Sequence, residues 1–190
     1  MNSMEFPFVT VMFAVIMGMG VVYLLVAVAS MIRGYRKMFT VYWLHLAWIA
    51  CLLLLHFHVW WGVWDLQQIS SWNYFTYLFL LTGPVLLFVA VAIIIPEENT
   101  KNSIDLRQFY FNNNTKFFLT LTFAVIWGLS LYPIFFGKTD PVFEWLIAFL
   151  IILIILSFSK KPLVHVILSI IAWGLFFIWI FSYGFSLSNT

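Results

Sequence analysis

Residues 72–95 read WNYFTYLFLLTGPVLLFVAVAIII, a long run without a charged side chain. A helix rising about 1.5 Å per residue needs roughly twenty apolar residues to cross a hydrocarbon core about 30 Å thick, so this run reads as a membrane span. Working outward, the same pattern recurs at 8–32, 40–64, 117–136, 142–158 and 163–185. The run at 142–158 is the shortest, at the lower limit for crossing, but Leu150 to Leu156 (LIILIIL) belongs in lipid. Shorter segments of alternating polarity, the mark of a membrane β-barrel, are absent. The expected fold is therefore all-α: a polytopic membrane protein with six transmembrane helices in one bundle, forming a single membrane domain over 1–190.

Composition agrees. The chain is 64% hydrophobic and 8% charged, against about a quarter charged in soluble proteins. Its net charge of +2 offers no footprint for nucleic acid. The single cysteine, Cys51, excludes an intrachain disulfide and a cysteine-based metal site. The opening residues hold Glu5 and Pro7 and no Lys or Arg, so the first helix is expected to remain in the mature protein.

Of the nine Lys and Arg, all but Lys138 fall in the first, third and fifth loops: Arg33, Arg36, Lys37, Lys101, Arg107, Lys116, Lys160 and Lys161. Positive residues collect on the cytoplasmic side, which places both chain ends outside. Trp60, Trp61, Trp64 and Trp72 flank the second loop as an outer aromatic belt, with Tyr42 and Trp43 at the inner interface. Pro84 and Pro133 lie inside spans and predict kinks. The cytoplasmic loop 96–116 is too short for a domain. Leu106, Phe109, Tyr110 and Phe111 with Arg107 predict a short helix lying on the inner surface, with Lys116 at its edge. The sequon Asn113-Asn114-Thr115 falls on the cytoplasmic side, which argues against its glycosylation.

No Lys or Arg lies within a span, and Asp65, Asp140 and Glu144 sit near outer boundaries. Histidine is the remaining chemistry: His45, His56 and His58 on the second helix and His165 near the start of the sixth. At 100° per residue His45 and His56 differ by about 20° in direction and about 16 Å in height, so they share a stripe with Ile49, Leu52 and Val63. His58 points roughly opposite, toward the side of Trp61 and Asp65. A helix with polar groups on two faces belongs at the centre of a bundle, which would make Trp48 and Trp60 packing residues.

Three readings of the histidines stand side by side. Each is a buried residue bonded to a neighbouring helix, or a member of a proton or solute path, or a haem ligand, for which only His45 with His165 offers a pair on two helices. Opposed directions on helix two argue against a multi-histidine zinc site, so no metal is expected. No nucleotide-binding loop, Gly-x-Ser-x-Gly or His-Glu-x-x-His occurs, and Ser169 shares a helix with His165, so the reading is a non-enzymatic one.

The stretch Tyr42-Trp43-Leu44-His45-Leu46-Ala47-Trp48, then Trp60-Trp61 and Trp64, Pro96 and Asp105-Leu106-Arg107-Gln108-Phe109-Tyr110 resembles a family of small bacterial multi-span inner-membrane proteins of uncharacterised activity. The resemblance covers roughly the first 120 residues and implies a location in the bacterial cell inner (plasma) membrane. The leading functional expectation is a channel or transporter subunit, assembled as a homo-oligomer in the lipid bilayer, moving a small ion, proton or small solute near helix two. Its candidates are His45, His56, His58 and His165, with Asp65 and Glu144 at the outer mouth. The alternative is an accessory or signalling protein that binds a cytoplasmic protein partner through Arg107, Phe109 and Tyr110. A b-type haem electron carrier is the third.

Overall fold

The computed structural model describes residues 5–32, 39–69, 71–96, 104–139 and 143–183. Six α-helices dominate it: α1 (Glu5–Ile32), α2 (Trp43–Gly62), α3 (Tyr74–Ile94), α4 (Leu106–Phe136), α5 (Phe143–Phe158) and α6 (Pro162–Tyr183). A 3-10 helix, Val63–Gln68, continues α2. Two-residue strands β1 (Phe39–Thr40) and β2 (Ile104–Asp105) pair in parallel, with Phe39 opposite Ile104.

Local chemistry sets several of these boundaries. Asn73 opens α3 with a capping box: its Oδ1 accepts from Thr76 N at 3.0 Å, while Thr76 Oγ1 accepts from Asn73 N at 3.1 Å. Asp105 opens α4, its Oδ1 accepting from Arg107 N at 2.8 Å and Gln108 N at 3.2 Å. Gly137, at φ 62°, closes α4 in the left-handed conformation that glycine adopts without a Cβ clash.

Helix α3 lies between α1 and α4, α4 between α3 and α5, and α6 packs on α5; α2 touches α1, α3, α4 and α6. Its stripe His45, Ile49, Leu52, His56 and Val63 is buried. Trp48 is buried with it, but Trp60 departs from the packing role expected of it. Its indole meets Phe13 of α1, yet 47% of the residue is exposed, so it stands on the bundle's outer surface.

Apolar side chains also cover the outside, among them Phe8, Val15 and Val22 on α1, Phe75 on α3, Ile151 on α5 and Ile170 on α6. Helices apolar on every side need lipid or protein around them. Five of the six are long and apolar enough to cross a membrane, and α5 is a shorter apolar helix. The protein is an all-helical bundle compatible with a multi-pass membrane protein.

The segment read as loop 96–116 with a separate surface helix differs from that expectation. From Leu106 it is the beginning of α4 itself. The Asn-rich stretch Asn112–Asn114 reads as loop because it is polar, but the helix carries it past the end of α5, where the Asn114 amide donates to the Leu156 and Ser159 carbonyls. At 31 residues α4 is longer than the roughly twenty that a hydrocarbon core requires.

Candidate functional site

Two ends of the bundle are defined by contacts between distant segments. At one, called here the basic end, β1 pairs with β2, Tyr42 rests on Tyr110, and Lys160 Nζ donates to the Phe111 carbonyl at 2.6 Å. At the other, Trp72 N donates to Glu5 Oε2 at 3.2 Å, Trp72 packs on Phe135, and Tyr132 OH donates to Asp65 Oδ2 at 3.2 Å.

A buried polar cluster lies toward the basic end. Pro162 starts α6, and His165 follows one turn later. Its Nε2 faces the Ser159 carbonyl at 3.0 Å and its Nδ1 the Tyr110 hydroxyl at 2.8 Å. A carbonyl can only accept, so Nε2 donates, and the neutral imidazole accepts from Tyr110 through Nδ1. One turn along α6, Ser169 Oγ accepts from Trp48 Nε1 at 3.0 Å. Helix α6 is thus bonded to α4 through His165 and to α2 through Ser169.

The α5–α6 connection is fastened beside it. Asn114 Nδ2 donates to the carbonyls of Leu156 (3.0 Å) and Ser159 (2.8 Å), Thr115 Oγ1 to that of Ser157 (2.8 Å), and Lys160 Nζ reaches Asn114 Oδ1. The Leu156 and Ser157 carbonyls belong to the last turn of α5, where carbonyls have no partner within their own helix, and Ser159 follows it. Sequence reasoning missed Asn114, Ser169 and Tyr110 as members of this cluster. The available signal was the polar run Asn112–Thr115 ahead of an apolar run.

The four histidines occupy four different environments. His165 is engaged at both ring nitrogens, so haem ligation there would have to displace Tyr110 or Ser159; Tyr110 stands next to both His165 and His45, its ring 5.4 Å from one and 6.3 Å from the other. His45 is fully buried with neither nitrogen bonded, its ring edge-on to Phe109 and Tyr110. His56 donates through Nδ1 to the Leu52 carbonyl at 2.7 Å and lays Nε2 against Gly20 of α1. His58, on the other side of α2, packs on Trp179 with ring centroids 3.9 Å apart and on Phe176.

A cavity of about 90 Å³ opens beside α2 on the His58 side. Leu55 and Val59 of α2, Trp127 and Gly128 of α4, Trp145 of α5 and Trp179 of α6 are among its walls, and the lining is almost wholly apolar. His58 stands at its margin, touching two of its wall residues, Phe176 and Trp179.

Of the remaining candidates, Asp65 is half-buried against Tyr132, and Glu144 is exposed at the start of α5. Asp140 lies outside the described residues. Arg107 is exposed and Phe109 half-buried, but Tyr110 is only 3% exposed and faces the interior, which corrects its assignment to a partner-binding surface. No group of three or more His, Cys, Asp or Glu side chains able to hold a metal ion occurs among the described residues. No protein family, curated protein or solved structure matches this chain.

Proposed function

We propose that this chain is a six-crossing inner-membrane protein of the transporter class, which takes a small apolar or amphiphilic solute into the cavity beside α2. The observation that carries the reading is the cavity itself. It lies among several helices of a bundle, where membrane proteins place solute sites, and its tryptophan walls favour an apolar body. Engineered apolar cavities of about 150 Å³ take up benzene, so a space of this order suits a small ring or a short stretch of alkyl chain. His58 at the margin supplies a hydrogen-bonding group for a polar substituent. A proton or ion path through the histidines is less well supported, because His45 and His56 lie on the stripe of α2 away from the cavity.

In this reading all six helices cross, α5 included, with both termini outside. Arg107, Lys160 and Lys161 at the basic end favour its assignment to the cytoplasm. Assembly as a homo-oligomer in the bilayer is part of the proposal, since a bundle this small encloses little path of its own.

Gly128 provides the test. It lines the cavity, and a Cβ built there meets nothing within 4 Å, so Gly128→Leu starts a larger side chain at the cavity wall from a position with room for its first atom. Quenching of tryptophan fluorescence by a short brominated alcohol is expected in the wild type in lipid nanodiscs and reduced in Gly128→Leu. Equal quenching in both discards the cavity as a solute seat.

A further inference from the structure

The α5–α6 connection, Ser159 to Lys161, carries two adjacent ammonium groups at a point where two apolar surfaces end. On α5 the exposed side chains Ile151, Ile155 and Phe158 fall within about 60° of one another, and on α6 Leu163, Ile167 and Ile170 do the same. Each set is a stripe on the outside of the bundle, and both run up to the connection. Phe158 and Leu163, which flank it, are each 70% exposed.

Lys160 is not a freely moving surface lysine. Its Nζ donates to the Phe111 carbonyl at 2.6 Å and to Asn114 Oδ1, so the ammonium is held in one place by two neutral acceptors. Neither acceptor cancels its charge, and a third N–H remains to be used. Lys161 is exposed, and its backbone N–H donates to Ser159 Oγ at 3.2 Å, which shapes the turn. Among the described residues neither lysine is paired with a carboxylate, and the one carboxylate at this end, Asp105, spends an oxygen on the N–H groups that open α4. Pro162 then begins α6, a helix of 22 residues whose first N–H groups add partial positive charge at the same spot.

We infer that the α5–α6 connection binds the phosphate of an anionic phospholipid, with Lys160 and Lys161 on the head group and the acyl chains along the stripes of α5 and α6. The juxtaposition identifies the occupant. A free phosphate would use the charge alone, whereas a phospholipid uses the charge and the apolar surface that ends beside it. A zwitterionic lipid brings its own cation, so the uncompensated lysine pair favours a head group of net negative charge. The inference rests on the reading of the bundle as membrane-embedded and is independent of the solute cavity.

Native mass spectrometry of the full chain, released from detergent that contains equal amounts of phosphatidylglycerol and phosphatidylcholine with the same acyl chains, tests this. The wild type is expected to retain phosphatidylglycerol over phosphatidylcholine by about tenfold or more, from two lysines worth about fivefold each near an anionic head group. Lys161→Gln leaves the bonds of Lys160 in place and is expected to cut that preference by about fivefold. Lys138→Gln removes an exposed lysine at the other end of the bundle and should leave it unchanged. Equal retention of the two lipids by the wild type overturns the inference. So does a preference that survives in Lys161→Gln or falls as far in Lys138→Gln. A preference abolished by millimolar inorganic phosphate assigns the site to a free anion and overturns the lipid. A chain that stays monodisperse without detergent overturns the membrane reading and the inference with it, a result distinct from equal retention.

Discussion

The Tyr110 hydroxyl donates to His165 Nδ1 across 2.8 Å, joining two residues 55 positions apart and fixing the beginning of α4 against the beginning of α6. His165 Nε2 is already committed to the Ser159 carbonyl, so Tyr110 is the partner of the nitrogen that remains. Tyr110→Phe keeps the ring packing but strands a buried acceptor, which typically costs about 1–3 kcal/mol. The expected outcome is a lower unfolding temperature in detergent. Cys51 reports it directly: it is the only cysteine in the chain, 1% exposed when folded, and open to a fluorogenic maleimide once the bundle opens. A Tyr110→Phe protein that melts with the wild type would show that the bond contributes nothing net.

Gly83 and Trp127 make a second, purely steric relationship. A Cβ at Gly83 would overlap the six-membered ring of Trp127, and that indole cannot swing aside freely because its Nε1 donates to the Phe79 carbonyl at 2.8 Å. Gly83→Ala is therefore expected to destabilise by about 1–3 kcal/mol, the usual cost of forcing extra atoms into a packed contact. Gly174→Ala is the control. A Cβ there meets nothing within 4 Å, so the substitution should be neutral or gain up to about 1 kcal/mol of helix propensity. Equal effects at the two positions would refute the steric account.

Gly20 against His56 extends the same logic to α1 and α2. A Cβ at Gly20 would overlap the imidazole, whose Nδ1 is held by the Leu52 carbonyl. Gly20→Ala alone should lower stability, and His56→Ala alone should leave a cavity beside α1. Together they should cost less than the sum, with a coupling of about 0.5–3 kcal/mol, because the alanine methyl moves into the vacated space. Strict additivity in a double-mutant cycle would mean that the two residues do not press on each other.

What the sequence revealed and what it hid divide along physical lines. Apolar runs and helix geometry are local properties, so the six helices, the buried stripe His45–Ile49–Leu52–His56–Val63 and the central place of α2 could be read from one strand of text. The start of α4 could not, since Asn112 to Thr115 read as loop until the Leu156, Ser157 and Ser159 carbonyls arrive from more than forty residues away. Tyr110 reads as a surface residue for the same reason: its hydrogen-bond partner, His165, belongs to another helix. The tryptophan-lined cavity leaves no periodic trace at all, because it is made by gaps between α2, α4, α5 and α6 rather than by any one of them.

The crossing number turns on α5, the shortest helix at 16 residues. If α5 crosses, its two flanking segments emerge on opposite sides of the bilayer, and the proposed orientation puts Glu144 outside and Lys161 inside. Both side chains are exposed, so cysteines there are accessible without disturbing the core, while native Cys51 stays buried and serves as the unlabelled background. In intact cells a membrane-impermeant maleimide is expected to label Glu144→Cys and to spare Lys161→Cys until the membrane is permeabilised. The reverse pattern would turn the whole bundle over and contradict the charge distribution. Labelling of both from outside would mean that α5 does not cross, and that the basic pair Lys160 and Lys161 faces the same side as Glu144.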